Sequence, residues 1–523
     1  MTERFDVAVV GYGPVGIAMA TLLGRSGHRV VVLERYAGLY NLPRAAIFDD
    51  ETMRTFAKLG IAEELLPKLH VQRNYEWRNG AGELLIEHDF AAVGQSGWAE
   101  WYMMYQPDLE NAINRACLAT ANVDVRYNCL VTSYEQLSDG VHVLTEGADV
   151  VADYVVATDG GNSTTRRWLG IDQDDLGFSE PWMVCDFRLT GPTNLPMARQ
   201  VCDPAQPTSI ISLGPDHHRF SFMLESEAAF TTESRPELVW GRVAQYLSPA
   251  NAELIRVATY TFRSLVAHNW RRDRILLAGD AAHQMPPFLG QGMCSGIRDA
   301  QNLAFKLDLI LTGRAAQSLL DSYQVEREPH VRAVIAKGIE LGRLQTLRDP
   351  EAAAARDRTL LAAHQAKADP EKIRFPGIGP GFVARHDSAG RGQLFPQGLV
   401  ESGGVRGRFD EVLGYGMFLL LSEEAAATLD PETLRRASRL LDGVYRILPE
   451  SAAAADATAV VDAEGVYASW LAEHRSSAVI VRPDFYVYGS AASQAELDLL
   501  LAEVAADIAP TTEPQPAINP RRC

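Results

Sequence analysis

Cysteine is scarce. Six are spread over 523 residues (Cys117, Cys129, Cys185, Cys202, Cys294 and Cys523), with no CxxC and no close pair. That spacing argues against a disulfide framework and a structural metal, so a reduced, cytoplasmic setting is expected. No run of about 18 apolar residues occurs, the length a membrane-spanning helix needs. The start, MTERFDVAVVG, goes straight into a strand, so no signal peptide is expected. Positive charge is in deficit. Lys and Arg number 49 against 67 Asp and Glu, for a net charge of −18, and the cations are scattered. This argues against nucleic acid or an anionic membrane as the main partner. There is no internal repeat. What remains is ordinary for a globular chain, 47% hydrophobic and 22% charged. Its length exceeds one core and implies two or three domains.

Three stretches share one design, a strand ending in an acid and a glycine turn. The first is a strand at Phe5–Val10 that enters Gly11-Tyr12-Gly13-Pro14-Val15-Gly16, a GxGxxG. A helix at Ile17–Ser26 follows, then a strand at Arg29–Leu33 that ends in Glu34 and Arg35. This is the start of a dinucleotide-binding βαβ unit. Gly11 allows the tight turn, Gly13 lets backbone approach a pyrophosphate, Gly16 lets helix and strand pack, and Glu34 reaches a ribose hydroxyl. In the second stretch, Asp153–Thr158 ends in Asp159-Gly160 before a helix at Thr164–Leu169. The third is Ile275–Leu303. A strand at Ile275–Ala278 meets Gly279-Asp280, then Pro286-Pro287, then Gly290-Gln291-Gly292 and a helix from about Cys294. An acid at a strand end binds a polyol, and a glycine loop at a helix N-terminus offers N–H groups to an anion. Together they place a ligand with both features along one sheet edge.

The rest supplies walls and platforms. Leu42-Pro43-Arg44-Ala45 follows the nucleotide crevice and precedes a helix at Asp49–Leu59, whose Asp49-Asp50-Glu51 suits an N-cap with first-turn acids. One of these acids can still face the active site. The aromatic run Trp98–Tyr105 lines a pocket for a flat ligand or forms a sheet core of cross-strand pairs. Residues 180–265 are strand-rich, a substrate platform inside an α/β frame, with His217 and His218 expected to be solvated at a turn tip. Helices are predicted at Lys306–Thr312, Ser318–Glu328 and His330–Leu347, with one more in 349–372. A Pro- and Gly-rich linker over 376–392 leads to a small α/β unit at 394–506, and the tail 510–523 is expected to be disordered.

With these elements placed, residues 1 to about 350 resemble the FAD-dependent aromatic hydroxylases, the class A flavoprotein monooxygenases. The resemblance rests on Gly11–Gly16 with Glu34, on Arg44, on the helix start Gln106…Glu110, on Asp159-Gly160, and on Gly279-Asp280…Gly290-Gln291-Gly292. PRAAIFDDETMR and GDAAHQMPPFLGQGMCSGIRDAQNLAFKL are most similar to the branch that includes 3-(3-hydroxyphenyl)propionate hydroxylase and polyketide-tailoring hydroxylases. The fold implied is α/β (α+β overall), a Rossmann-like FAD-binding domain with an interleaved antiparallel-sheet substrate domain and a small thioredoxin-like C-terminal domain. Expected boundaries are 1–75, 100–178 and 266–350 for FAD, 76–99 and 179–265 for substrate, 351–393 for a helix and linker, and 394–508 for the thioredoxin-like domain.

The resemblance also implies roles. Gly11, Gly13, Pro14, Val15 and Gly16 would bind the pyrophosphate of FAD, with Glu34 and Arg35 at the adenosine ribose. Arg44 and Gln106 would contact the flavin or phosphates, and Asp159 and Gly160 the pyrophosphate. Gly279 and Asp280 would hold the ribityl chain, and Pro287, Gly290, Gly292 and Met293 would lie along the flavin ring. Trp101, Met103, Tyr105, Trp182, Met223, Met285 and Pro286 would line the substrate pocket. Catalytic candidates are Asp49, His283 and Pro287. The base for a phenol proton is sought among Asp49, His283, Tyr105 and Asp186, with packing or capping the alternative for His283.

The implied chemistry is NADH- or NADPH-driven reduction of FAD, addition of O₂ to give a C4a-hydroperoxide, and oxygen transfer to a phenolic or polycyclic aromatic ring. Alternatives are a same-fold epoxidase or Baeyer–Villiger-type oxygenase acting on a polyketide-like substrate, and a non-catalytic flavin-binding protein. A halogenase is excluded because no WxWxIP segment is present. No metal, nucleic-acid or membrane partner is expected, and a homodimer is kept open.

Overall fold

The computed structural model of the chain describes residues 2–368, 372–452 and 456–509. It divides into two compact units, Met1–Ala300 with Val331–Phe375, and Gln301–His330 with Pro376–Cys523. Among the described residues no helix is long and apolar enough to cross a membrane, and no cluster of metal-ligating side chains occurs. The tail 510–523, expected to be disordered, lies outside the described residues.

The first unit holds two large sheets. In one, the strand Glu3–Val10 runs parallel to Val30–Leu33 on one side and to Val150–Ala157 on the other. Val123–Arg126 and Ile275–Leu277 extend it, also parallel. These strands read as unbroken apolar runs because a parallel sheet is covered on both faces. Val10 is level with Leu33 and with Ala157, and Ala157 is level with Leu277. The register brings Gly11, Glu34, Asp159 and Asp280 to one edge. The helix Pro14–Arg25 opens there, with Pro14 in its first turn, where a missing N–H costs nothing.

The second sheet runs in the order His283–Gln284, Ala252–Ala267, Gln173–Leu189, His217–Met223, Thr208–Ser212, Ala198–Cys202, Tyr75–Asn79, Leu84–His88. Its pairs are antiparallel except Ala198–Cys202 with Tyr75–Asn79. One face packs Met183, Cys185, Phe187, Phe220 and Phe222 under the helix Pro236–Val243. The other carries Val184, Asp186, Ser209, Arg219, Ser221 and Arg256, the residues that alternate with them.

The structure differs from expectation at several points. His217 and His218 are not solvated at a turn tip; they open the strand His217–Met223. The turn falls earlier, at Gly214 with φ +99°. His217 stacks on Tyr105 at 3.8 Å, and burial pushes His218 down to about 4. The two helices expected on either side of Pro329 are one, Asp321–Gln345. The Gly379 N–H bonds the Glu326 carbonyl at 2.8 Å, next to the gap in the ladder left by proline. The glycine-loop helix starts at Gln291 and runs unbroken to Leu311. Contacts also draw other boundaries. Residues 301–330 belong with the C-terminal unit, and the helix Pro350–Gln365 belongs with the first, where Leu360, Leu361, Ile373 and Phe375 pack on the Tyr75 and Trp77 core.

The second unit is built on a seven-stranded sheet of thioredoxin-like layout. Phe418–Ser422, Gly443–Pro449 and Ala459–Asp462 are parallel. Ala478–Val481 and Val487–Ala491 form an antiparallel hairpin beside them, followed by the helix Gln494–Asp507. Its core gathers Phe395, Phe409, Phe418, Tyr467 and Trp470. Within this unit Glu326 is buried between Lys306, at 2.9 Å, and Arg482, at 2.7 Å, and the two cations hold its carboxyl down to about 2.

Candidate active site

A cavity of about 650 Å³ opens at the shared strand edge and continues along the polar face of the second sheet. That volume lies within the range of small-molecule sites, roughly 300–1,000 Å³.

Its first part is the cradle predicted from the strand-end motifs. Gly11, Gly13, Pro14, Val15, Glu34, Arg35, Asp159, Gly160 and Asp280 all line it. A Cβ on Gly11 would meet the Thr158 carbonyl oxygen at 2.7 Å, whereas one on Gly13 would meet nothing within 4 Å. Gly11 is thus needed for the turn, and Gly13 leaves space for a ligand. Gly16 lies behind the wall, where a Cβ would sit 2.1 Å from the Gly11 carbonyl oxygen, so its role is close packing. Gly279 also packs inward, its N–H donating to Asp299 at 3.0 Å. Glu34 accepts from the backbone N–H groups of Tyr12, at 2.7 Å, and Tyr36, at 2.9 Å. Asp159 caps the helix Thr164–Trp168 with one oxygen, at 3.0 Å from the Thr165 nitrogen. Its other oxygen is buried and has no partner among the described residues. Asp280 is exposed to the cavity yet ringed by protein, and that desolvation raises its pKa against the pull of His283 and Arg44.

At the glycine-loop end of the cavity, Gly290 is left-handed at φ +63°, and a Cβ there would lie 2.1 Å from Ile47. The helix from Gln291 follows at once, so Gly292 and Met293 bring first-turn backbone N–H groups to the cavity. Gln106 acts partly through its neighbours. Its oxygen accepts from the Arg44 and Ala45 N–H groups at 2.9 and 2.5 Å, and its nitrogen donates to Glu110 at 2.5 Å. It fixes the loop that carries Arg44, whose guanidinium lies 4.7 Å over the Tyr40 ring.

The four candidate bases do not line the cavity. Asp49 caps the helix Asp50–Lys58, accepting from Thr52 at 2.9 Å, and pairs with Arg298. Desolvation opposes its ionisation, but Arg298 and the Thr52 bonds hold its carboxyl below the usual range. His283 is buried and bonded to Asp299 at 2.6 Å. Tyr105 is covered by His217. Asp186 is fully buried between Arg219, at 2.6 Å, and Arg256, at 3.1 Å. The same two arginines donate to the Pro43 carbonyl, tying the sheet to the Arg44 loop. Of the expected substrate-pocket residues, Trp101, Trp182 and Met285 line the cavity, as does Pro287. Met103, Met223 and Pro286 do not; Met103 is fully buried in the core with Ile47 and Trp101. The aromatic run is therefore mostly core, with Phe90 stacked on Trp101 at 4.9 Å and Phe48 on Tyr102 at 5.4 Å.

Sequence reasoning missed Tyr75, Gln200, Ser209 and Tyr260, all on the cavity wall. A signal for Tyr260 was present. Arg256, Ala258, Tyr260 and Phe262 alternate along one strand and so share a face. The Arg256 guanidinium bonds the Tyr260 hydroxyl.

The strand-end cradle, the left-handed glycine before a helix and the aromatic wall define a flavoprotein of the hydroxylase class. The orphaned Asp159 oxygen and the open side of Gly13 fit FAD. Residues 4–337 match the family model described as FAD binding domain and residues 392–507 that of the HcaD C-terminal domain, and with the hydroxylase relatives below the chain belongs to the FAD-dependent aromatic hydroxylases. It is 50% identical to the probable NADH-specific resorcinol 4-hydroxylase of Rhodococcus jostii (strain RHA1), over 98% of this chain and 97% of that protein. It is 33% identical to the 3-(3-hydroxy-phenyl)propionate/3-hydroxycinnamic acid hydroxylase of Mycolicibacterium gilvum (strain PYR-GCK), over 92% and 89%. Among solved structures, it is similar to aklavinone-11 hydroxylase in complex with FAD and aklavinone, with a TM-score of 0.75, 25% identity, and 96% and 99% coverage. The protein is a flavin-dependent aromatic monooxygenase that uses FAD, NAD(P)H and O₂.

Proposed function

We propose that this monooxygenase hydroxylates a small monocyclic phenol with a second ring oxygen, of the resorcinol type, and draws its electrons from NADH. The observation that carries this reading is the 50% identity, along the whole chain, to a protein named for that reaction. A cavity that joins a strand-end cofactor cradle to a wall of Trp101, Trp182 and Met285 is consistent with it.

In this reading Gly11, Gly13, Pro14, Val15 and Gly160 seat the pyrophosphate, with Asp159 beside it. Glu34 and Arg35 meet the ribose, and Asp280 the ribityl chain. Arg44 and Gln106 order the loop beside the ring. When bound, FAD reduced by NADH supplies, with O₂, the oxygen atom delivered to the ring carbon. The first-turn N–H groups at Gly292 and Met293 favour negative charge at the flavin end. Pro287 and Phe288 exclude water from the reacting face. The phenol proton is assigned to Tyr260, acting as its phenolate on the cavity wall, whose oxygen the Arg256 guanidinium bonds. A reduced, cytoplasmic setting belongs to the same reading; the five described cysteines are free and buried.

The test is steady-state oxidation of NADH and NADPH by the FAD-loaded protein with and without resorcinol. NADH consumption should rise sharply with resorcinol, and mass spectrometry should find a product with one added oxygen. A protein that retains FAD but responds to no member of a phenol panel would sink the reading.

A further inference from the structure

A chain of hydrogen bonds runs along the cavity wall, and its direction is fixed at one end. Gln345, fully buried behind the wall, donates through its amide nitrogen to the Thr208 carbonyl at 3.2 Å and to the Ser209 hydroxyl at 3.1 Å. A peptide carbonyl only accepts, so the orientation of the Gln345 amide is set. The Ser209 hydroxyl, having accepted, gives its single proton to the Gln200 side-chain oxygen. The Gln200 amide nitrogen then donates to the Tyr75 hydroxyl oxygen at 3.1 Å. The reverse order would leave the buried Ser209 proton without an acceptor, the more costly arrangement.

Sheet register holds the relay in place. Gln200 faces Ser209 across antiparallel strands, and Tyr75 faces Ala198, two residues away and on the same side of the sheet. The Tyr75 ring is confined by Trp77 and Phe90, each at 6.2 Å. At the end of the relay the Tyr75 hydroxyl has accepted a hydrogen bond, while its own proton has no acceptor among the described residues. Tyr75, Gln200 and Ser209 all line the cavity. Burial raises the Tyr75 pKa, so the proton stays on.

We infer that Tyr75 is a dedicated hydrogen-bond donor to the second ring oxygen of the substrate, polarised for that role by the relay Thr208–Gln345–Ser209–Gln200. The inference rests on the phenol-hydroxylase reading above and adds the residue that selects a ring bearing an acceptor at that position. Tyr75 is a specificity residue, and Gln345 a positioning residue that acts through it.

The experiment compares 3-methoxyphenol, whose second oxygen only accepts, with 3-methylphenol, which has none. Binding to the FAD-loaded enzyme is read from the change in flavin absorbance, and KM and kcat from NADH oxidation. The wild type should bind the methoxy compound about 10-fold more tightly. Tyr75→Phe should erase that preference with FAD content unchanged. Gln345→Met, which touches no substrate, should shrink it to roughly 2- to 3-fold by freeing Gln200 to turn and accept from Tyr75. The effect should fall on KM rather than kcat. Retention of the full preference in Tyr75→Phe overturns the donor assignment, and an unchanged preference in Gln345→Met overturns the relay. If no phenol stimulates NADH oxidation, the proposed function fails, while the flavin-absorbance titrations still decide the role of Tyr75.

Discussion

Asp280 and Tyr260 separate holding the cofactor from acting on the substrate. Asp280 stands at the end of the strand Ile275–Leu277, exposed to the cavity, desolvated, and close enough to Arg44 to feel its charge. Asp280→Ala should therefore lose FAD during gel filtration while the apoprotein keeps its fold; full FAD occupancy with normal turnover would remove the ribityl assignment. Tyr260→Phe should do the opposite. FAD should stay, and kcat should fall about 100-fold, the usual worth of a positioned proton acceptor. The loss should shrink toward alkaline pH, where the phenol ionises unaided. A pH-independent loss would mean that Tyr260 only packs against the ring. Neither Asp49 nor Asp186, both plausible bases by composition, competes for this role, because each carboxylate is already buried against arginine.

At the scale of an element, the helix Asp50–Lys58 carries an acid in an unfavourable place. Acids normally suit a helix N-terminus. Asp50, however, is desolvated and lies next to the carboxylate of Asp49, and together these raise it to about 7 although the Ser96 N–H donates to it at 2.7 Å. Its folded pKa lies above its unfolded value. Folding is thus unpenalised below the unfolded pKa and loses stability as pH rises from about 4 to about 7. Asp50→Asn keeps an acceptor for Ser96. It should stabilise the protein at pH 8 by on the order of 1 kcal/mol, allowing for partial exposure, and give no gain at pH 4. Equal thermal midpoints for the two proteins at pH 8 would contradict this. The turn into the Gln291 helix makes a second case. Gly290→Ala combines a left-handed backbone with a clash against Ile47, itself part of the cavity wall. It should cost about 1–3 kcal/mol and weaken FAD retention as well. A variant as stable as the wild type would mean that the wall yields freely.

For the whole molecule, local motifs could be read in advance and long-range register could not. Gly11 to Glu34 is one continuous segment, and Asp159-Gly160 and Gly279-Asp280 each announce themselves by a strand, an acid and a glycine in a row. Their convergence follows from the parallel order of the strands, so the meeting of these residues at one sheet edge was legible. The substrate wall was not. Gln200 and Tyr75 are 125 residues apart in the chain, and Arg298 and Asp49 are 249 apart. Nothing in either segment states which strand will lie beside it. The expected helix boundary at Pro329 failed for a related reason. Pro329 ends a helix on local rules, but Gly379 supplies a backbone partner beside the gap from a distant segment.

Scarce cysteine speaks first to what the fold does without, and the five described cysteines do more. Their placement also makes them reporters. All five are buried in the first unit, and burial pushes the thiols of Cys185, Cys202 and Cys294 up to about 12. Thiolate is the reactive form, so these three sites are nearly silent to alkylating agents in the native fold. Labelling must then wait for a local opening, and each site times a different part of the structure. Cys117 times the helix Gln106–Leu118, Cys185 and Cys202 the second sheet, and Cys294 the first turn of the helix Gln291–Leu311. Mass-resolved alkylation would read these clocks side by side, and bound FAD should slow that of Cys294 more than that of Cys202.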